Sequence, residues 1–232
     1  MKTFSISQIC ALVPIVAMTF GLTGCSIYAL TGESLGGYAI DHVGPYVMGT
    51  EDLQMACEFG QSFGNLMMSY ERVTDAPDKA SLFAMIGSGM CAEMDAKEAE
   101  LEYARHMFGN RPVDAQDARI KEKRARQRTS HRFHHAYQRL VAAYGEPGQV
   151  CPEIPENEEV LYLLGLAVGV QALLHDRASG GIVGVDMGIP MKVARATECL
   201  DDDKLWGIPS AVRGGVYASL PGTAPEGVDA WV

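Results

Sequence analysis

The sequence predicts an all-α fold in which successive helices pack as an array of antiparallel hairpins behind an N-terminal export signal. Along most of residues 50–220, apolar residues recur at steps of three and four, which is the spacing of one helix face. Gly- and Pro-containing breaks separate these segments, and short connections favour antiparallel neighbours. The sequence shows no strand-like alternation and no strong repeat, so helices account for the whole domain.

Residues 1–24 have the composition of a secretory signal. Lys2 supplies one positive charge, and residues 9–22, "ICALVPIVAMTFGL", carry none. A basic start followed by a short apolar run is typical of an export signal that is later removed. The run is short for a membrane-spanning helix, and Pro14 disfavours that interpretation further.

The signal ends in "LTGC", residues 22–25, which resembles the bacterial lipobox. In that class a peptidase cuts before the cysteine, so Cys25 would become the first residue and carry diacylglycerol and palmitate-like acyl chains. Each buried CH₂ contributes about 0.8 kcal/mol, so several chains give a lasting membrane anchor. Ser26 replaces the Asp common in inner-membrane lipoproteins, which indicates the periplasmic face of the outer membrane. The alternative is an ordinary signal peptide with an incidental cysteine.

Residues 25–49 are predicted to form a lipidated tether, because Gly36, Gly37, Gly44 and Pro45 disfavour a helix. The α-helical domain then spans residues 50–220. Thr50 is the predicted N-cap of its first helix, with acidic residues in the first turn, and this helix continues to about residue 70.

Two long helices are predicted next, over residues 78–108 and 113–144. The stretches "GNRP" and "GEPG" end them. A fourth helix covers residues 156–175, and its centre, "VLYLLGLAVGVQALL", has no charge. A helix apolar on all sides is either buried or in a membrane, and this run is short for a span, so it is predicted to be the central core helix. Gly165 and Gly169 would let a neighbouring helix pack closely.

A Gly-rich loop is predicted over residues 177–190, followed by two short helices near 191–200 and 203–220 and a tail at 221–232. The loop contains "SGGIVG" but lacks the pattern of a phosphate-binding loop. A helix end followed by a left-handed glycine explains it better.

Charge is strongly segregated along the chain. The full sequence has a formal charge of −10, which argues against nucleic acid as a partner, yet residues 119–139 hold eight Lys or Arg and one Glu. One interpretation is internal pairing with the acidic residues of the preceding helix. The other is binding of an anion or an acidic partner. The basic residues considered for that second role are Arg119, Lys123, Arg124, Arg126, Arg128 and Arg132.

Six cysteines are present, of which Cys10 leaves with the signal and Cys25 is used for lipid. The four others lie in an oxidising compartment and allow three pairings. Pairing in chain order, Cys57 with Cys91 and Cys151 with Cys199, is predicted because each pair links segments expected to be neighbours. Four buried free thiols are the alternative.

The chain carries no convincing catalytic or metal-binding motif. His131, His134 and His135 share a helix face, but arginines surround them and no carboxylate is adjacent, so no metal is predicted. No motif places a base beside a thiol, and no G-x-S-x-G is present. No cofactor is predicted, and an enzyme is the least favoured class.

Several stretches nevertheless resemble a known family. With the lipobox, "MGTEDLQMACEFG", "SYERVTDAPDKA", "MCAEMDAKEAELEYARHM" and "DARIKEKRARQR" are similar to the T-component (TatT-like) lipoproteins of tripartite ATP-independent periplasmic (TRAP) transporters. The resemblance covers mainly residues 50–144. It implies a degenerate tetratricopeptide-like array, a lipid-anchored homotrimer around a pore, and association with a periplasmic substrate-binding protein. A regular 34-residue period is not found in the sequence.

The leading hypothesis is therefore a non-catalytic accessory role in transport, by ligand transfer or docking. Methionines supply adaptable apolar lining for such a role. Those considered are Met55, Met67, Met85, Met90 and Met94. The alternative is an envelope scaffold without a ligand, and a deep apolar cavity among the first three helices of the domain would distinguish the two.

Overall fold

The computed structural model describes residues 24–72 and 77–220, together with residues 224 and 227. Residues 1–23 of the predicted signal lie outside the described residues, as do the side chain of Cys25 and most of the C-terminal tail. Within the described ranges every regular element is a helix. The all-α class is confirmed.

The segment after the predicted signal is helical, which corrects the prediction of an irregular tether. Helix α1 covers Gly24–Tyr38, a π-helical turn covers Ala39–Val43, and α2 covers Gly44–Met48. Glycine weakens a helix by about 1 kcal/mol relative to alanine, but here packing offsets the cost: Gly36 lies against Ala80, and Gly44 lies against the Phe83 ring. Pro45 occupies the first turn of α2, where the missing N–H is not needed.

Helix α3 covers Leu53–Ser69 and ends in a 3₁₀ turn, Tyr70–Arg72. Its N-cap is Asp52, whose Oδ1 accepts a hydrogen bond from the Met55 N–H at 2.9 Å. The prediction of Thr50 as the cap is wrong. The Thr50 hydroxyl instead accepts a bond from the Asp52 N–H at 3.2 Å, one step outside the helix.

Helices α4, Asp78–Phe108, and α5, Pro112–Tyr144, form a long antiparallel hairpin, and their bounds lie within one residue of those predicted. Arg139 reaches Asp78 at one end, and Lys121 reaches Glu102 toward the turn. Each helix alone is nearly as long as a whole 34-residue helix–turn–helix repeat. The tetratricopeptide-like character implied by the resemblance therefore stays a prediction.

Helix α6, Glu159–Ser179, lies antiparallel to α5 and is the predicted core helix. By length and composition it could cross a membrane, but 61% of its most apolar window is buried within the fold. Side chains at Gly165 and Gly169 would overlap Leu140 and Tyr137, so the close approach predicted from these glycines is present. The core around α6 is built mainly from α4, α5 and α6, and apolar residues from the segment after α6 complete it. Its largest buried members include Leu82, Phe133, Leu140, Tyr162 and Leu166.

The loop after α6 is organised by a buried carboxylate. Gly180 takes the left-handed conformation that ends the helix, as predicted. The Asp176 side chain then accepts hydrogen bonds from three backbone N–H groups, at 2.9 to 3.0 Å. These donors are Val183, Gly184 and Val185.

Two short helices follow. Helix α7 covers Ile189–Ala196 and runs into a 3₁₀ turn, Thr197–Cys199, and α8 covers Ile208–Ser219. The last helix begins later than the predicted residue 203, because Trp206 and Gly207 have φ of +53° and +74°, which interrupts a right-handed helix.

Two disulfides connect these elements in the predicted pairing. Cys57–Cys91 joins α3 to α4 with 5.4 Å between the Cα atoms. Cys151–Cys199 joins the loop after α5 to the turn after α7, with 5.5 Å between the Cα atoms.

The hairpin of α4 and α5 extends beyond this core. Toward the turn the two helices meet through small buried side chains. These are Ala96, Ala99, Ala115, Ala118 and Ala125. We call residues 95–125 the hairpin arm. In the part of the chain that the structure describes, the side-chain hydrogen bonds, ion pairs and ring contacts of the arm all have partners in α4 or α5.

Candidate functional site

An apolar pocket with a volume of about 360 Å³ lies between α2, α3 and α4. Carbon and sulfur atoms dominate its surface, and a single residue of α6 completes it. The lining comprises Val47, Met48, Thr50, Leu53, Ala56, Cys57, Phe59, Gly60, Phe83, Ala84, Ile86, Gly87, Met90, Met94 and Leu164.

Small residues bring the walls of this pocket together. A β-carbon on Gly60 would lie only 3.0 Å from the backbone nitrogen of Ser88, so α3 and α4 touch backbone to backbone at this point. One turn away, the disulfide between Cys57 and Cys91 fixes the same two helices. The pocket is therefore held at a point where neither helix can shift easily.

The rim is formed by flexible apolar side chains that remain in contact with solvent. Met48, Leu53 and Met90 are 58%, 63% and 53% exposed. Methionine is unbranched and adapts its shape to a bound group. A ligand could thus enter past the flexible side chains of the rim and bind against the fixed contact between α3 and α4.

The chemistry of the lining favours binding of apolar groups. No ionisable side chain lines the pocket, and Cys57 is in a disulfide. The hydroxyl of Thr50, which accepts a bond from the Asp52 N–H, is the one polar side-chain group in the lining. Pockets that bind small molecules in proteins are typically apolar with few polar groups and have volumes of about 300–1,000 Å³.

Two of the five methionines considered in the sequence analysis line this pocket, and the other three do not. Met90 and Met94 line the pocket. Met67 is fully buried in the packing, Met85 lies with its sulfur against Gly64, and Met55 is exposed outside the lining. Sequence reasoning missed Met48, because its segment was predicted to be an irregular tether.

Much of the basic segment is engaged within the hairpin. Glu122 is only 1% exposed and lies between Arg119 and Arg126. Arg126 also pairs with Glu100 at 3.0 Å, and Arg128 pairs with Asp95 at 3.2 Å. Burial acts to raise the pKa of Glu122, but the bonds from the two arginines outweigh it and hold that pKa below its usual value.

Of the other basic candidates, Arg132 has a partner within the fold, whereas Lys123 and Arg124 form no ion pair in the described chain. Arg132 donates to the backbone oxygen of Ser88 at 2.7 Å, so it ties α5 to α4. Lys123 and Arg124 are exposed and form no ion pair in the described chain. Arg124 also lines a charged groove of about 890 Å³ along the arm. Binding of an acidic partner through these residues stays a prediction.

The histidines of the basic segment lie close together without forming a metal cluster. The rings of His131 and His135 are 4.5 Å apart. Burial, and then the neighbouring His131, lower the pKa of both His134 and His135. Among the residues that the structure describes, no group of three or more His, Cys, Asp or Glu could hold a metal ion.

One contact between a buried histidine and a half-buried glutamate was not predicted from the sequence. His175 of α6 is 3% exposed, and its Nε2 lies 3.3 Å from Oε1 of Glu93 on α4. This hydrogen bond lowers the pKa of Glu93. The residues are 82 positions apart in sequence, so no local pattern could indicate the contact.

Comparisons of this chain with protein-family models, with curated proteins and with solved structures found no match.

Proposed function

We propose that this chain is a lipid-anchored accessory protein of the cell envelope that binds a small apolar molecule and exchanges it with a periplasmic binding protein of a TRAP-type transporter. The apolar pocket between α2, α3 and α4 carries this proposal. It is the feature that distinguishes a ligand carrier from a scaffold with a filled core.

The lining defines the class of ligand. A pocket of about 360 Å³ accommodates a compact apolar group such as a branched aliphatic or aromatic moiety. Since burial of an unpaired charge is very costly, a charged end of the ligand would have to remain at the rim. Thr50 could contact one polar atom.

The lipid anchor at Cys25 and a docking surface at Lys123 and Arg124 are proposed from the sequence. The places of α1, α2 and α5 in the fold support both proposals. Helix α1 begins at the lipobox, and α2, which supplies part of the pocket rim, follows in the same N-terminal segment. The pocket would then open near the membrane-anchored end of the chain. Lys123 and Arg124, exposed on α5, would face an acidic partner.

A neutral fluorescent probe tests the ligand site directly. The mature chain, residues 25–232 with Cys25→Ser, is titrated with N-phenyl-1-naphthylamine. Ala56 is a half-buried lining residue, so Ala56→Phe fills the pocket and should weaken probe binding about tenfold or more. Ala142→Phe makes the same change at an exposed position of α5 and should leave binding unchanged.

Thermal unfolding of both variants shows whether they remain folded. If the unaltered protein binds no probe, or if a folded Ala56→Phe variant binds as well as the unaltered one, the ligand-carrier proposal is wrong and the scaffold is favoured. The transporter link is tested separately, by affinity capture from solubilised envelopes. Recovery of neither a binding protein nor a permease subunit would argue against that link.

A further inference from the structure

Helix α1 exposes one uncharged face to solvent. Along this face, at steps of three and four residues, lie Ile27, Leu30, Ser34 and Tyr38. We call these four residues the outer face of α1. Its three large side chains, Ile27, Leu30 and Tyr38, are 54%, 67% and 60% exposed. Exposed apolar side chains that line up on one helix face mark a surface that contacts a partner, whereas single ones need no explanation.

The opposite side of α1 packs on the domain. Gly32 lies against the Tyr70 ring, and Gly36 lies against Pro77 and Ala80. At about 100° per residue around the helix axis, the two glycines lie about 180° from the centre of the outer face. The outer face is therefore on the side of α1 that points away from α3 and α4.

The acidic residues of the N-terminal segment lie off the outer face. Residues 25–48 contain no Lys or Arg and two acidic residues, Glu33 and Asp41. Both line a groove that α1 forms with the start of α4 and the turn before α6. Asp41 also accepts a hydrogen bond from Nδ2 of Asn157 at 3.2 Å, which directs it toward the domain. No carboxylate therefore has to leave water when the outer face is covered.

The position of α1 in the chain indicates what covers the outer face. The helix begins at Gly24, so the predicted acylation site, Cys25, lies in its first turn. Acyl chains on Cys25 would enter the bilayer at this end of α1, and Ile27 follows only two residues later. At the other end of the face is Tyr38, a residue type that is enriched where lipid headgroups meet water.

A second copy of the chain is a less suitable occupant. The outer face presents four side chains on twelve residues, whereas a stable protein interface typically buries about 1,200 Å² or more. A small uncharged face is sufficient at a membrane, because acyl chains already hold the protein there and the face has only to set its orientation.

We propose that α1 lies flat on the membrane, with its outer face among the lipid headgroups and the rest of the domain on the aqueous side. The proposal rests on the lipid anchor of the proposed function. Helix α1 has 15 residues, fewer than the about 20 that span a bilayer, and its glycines are packed on the domain. It therefore lies along the surface, where apolar helix faces enter the headgroup and acyl boundary by about 5–10 Å.

The position of Tyr38 distinguishes a helix that lies flat from one that stands upright. Tyr38 is 13 residues from Cys25, which corresponds to about 20 Å along the helix axis. If α1 stands upright on its anchor, Tyr38 is in water, well above the headgroups. If α1 lies flat, Tyr38 is at the membrane surface.

Quenching by brominated lipids measures this position. Residues 25–232 are coupled through the Cys25 thiol to a maleimide phospholipid in phosphatidylcholine vesicles, the other four cysteines being in disulfides. Tyr38→Trp is the reporter, and Trp206→Phe and Trp231→Phe remove the two tryptophans of the sequence. Bromine on the acyl chains quenches a tryptophan at the membrane, so the fluorescence should fall at least twofold relative to unbrominated vesicles.

Phe108 provides the matched controls, because it is exposed at the far end of α4. Phe108→Trp, as the reporter in place of Tyr38→Trp, should not be quenched. Leu30→Glu puts a charge on the outer face and should remove at least half of the quenching of Tyr38→Trp. Phe108→Glu introduces the same charge elsewhere and should leave that quenching unchanged. Circular dichroism shows whether each variant is folded.

The lipid composition gives a further test. Since the outer face is uncharged, quenching should be the same in vesicles that contain the anionic lipid phosphatidylglycerol. An unquenched Tyr38→Trp reporter would overturn the proposal. Equal quenching of Phe108→Trp, quenching that requires phosphatidylglycerol, or a folded Leu30→Glu variant without effect would each do the same.

The result does not depend on whether cells acylate Cys25, because the maleimide lipid supplies the anchor. Palmitate labelling of the full chain tests acylation by itself. A flat helix without palmitate labelling would leave the present proposal standing and remove the lipoprotein, whereas labelling with an unquenched reporter would do the reverse.

Discussion

Gly60 of α3 lies directly against Gly87 of α4, so closely that a β-carbon on Gly60 would approach the carbonyl carbon of Gly87 to 3.1 Å. The atoms it would meet belong to the backbone and cannot rotate away. The same contact forms part of the wall of the apolar pocket. Packing of these two helices and the shape of the pocket therefore depend on one missing side chain.

We expect Gly60→Ala to lower the free energy of unfolding by about 1–3 kcal/mol, because overpacking forces the helix backbones apart. The variant should also weaken binding of the apolar probe. Gly215→Ala is the control: Gly215 is exposed in α8 with nothing within 4 Å of an added β-carbon. Alanine should raise the free energy of unfolding there by about 0.5–1 kcal/mol. Urea unfolding compares the two, and equal effects would contradict the close contact.

The disulfides provide a second prediction. Each disulfide closes a loop of the chain, because its two cysteines are 34 or 48 residues apart. Opening a loop of that size lowers the free energy of unfolding by about 3–4 kcal/mol. We expect the paired variants Cys57→Ser/Cys91→Ser and Cys151→Ser/Cys199→Ser each to lower unfolding free energy by about that amount. Changing both members avoids a free thiol.

Only the first of these variants should also alter probe binding, since Cys57 lines the pocket. Peptide mapping without reductant provides the covalent check on the unaltered protein. Cross-linked peptides joining Cys57 to Cys151 or Cys199 would show that the pairing differs.

The elements that could be predicted from sequence are those whose signals are local. The end of α4 and the start of α5 follow from the break "GNRP" between two periodic segments, and the disulfides follow from pairing the cysteines in chain order. Helices α1 and α2 could not be predicted because their glycines are stabilised by distant partners. Gly32 lies beside the Tyr70 ring, and Gly44 beside Phe83.

The pocket was predictable only in part for the same reason. Met90 and Met94 were identified from the helix pattern, but the opposite rim comes from α2, which was predicted to be irregular. The Glu93–His175 contact joins α4 to α6 across 82 positions of sequence. Contacts of this kind depend on how the helices cross, which single-sequence periodicity does not specify.

Acid should destabilise the fold through Glu122. Its pKa in the folded protein lies below the usual 4.5, so its contribution to stability is fully present above that pH and is lost as pH falls through the lower folded value. We expect Glu122→Gln to lower the unfolding free energy at pH 7 by about 3 kcal/mol, since two arginines lose a buried partner. The variant should also show a smaller loss between pH 5 and pH 3.

Glu153→Gln, at an exposed loop position, is the matched control and should leave both the stability and its pH profile unchanged. Urea unfolding at a series of pH values provides the measurement. Parallel pH profiles for the unaltered protein and Glu122→Gln would show that Glu122 does not titrate with a lowered pKa.

The loop after α6 should depend on Asp176. Replacement by alanine leaves three backbone N–H groups without their acceptor, and unsatisfied buried donors cost about 1–3 kcal/mol each when water cannot reach them. We expect Asp176→Ala to lower the unfolding free energy by about 2–3 kcal/mol in total, because the loop is near the surface and water replaces part of the loss.

Amide hydrogen exchange locates this effect. In Asp176→Ala the amides of Val183, Gly184 and Val185 should lose protection, whereas those in the middle of α5 should change only as much as the global stability does. Retained protection at the three loop amides would mean that the carboxylate does not hold the loop.

The proposed membrane anchor would depend on one sulfur atom, and that dependence can be tested without knowledge of the ligand. Cys25→Ser removes the nucleophile that would accept the lipid, so palmitate labelling should be lost and the protein should move from the envelope fraction to the soluble fraction. Several acyl chains at about 0.8 kcal/mol per buried CH₂ make the difference nearly complete. Cys10→Ser is the matched control, because that residue lies in the signal that would be removed. If Cys25→Ser still sediments with envelopes and still takes up label, the anchor lies elsewhere and the proposed lipidation of Cys25 is wrong, whereas the apolar pocket would keep its own test.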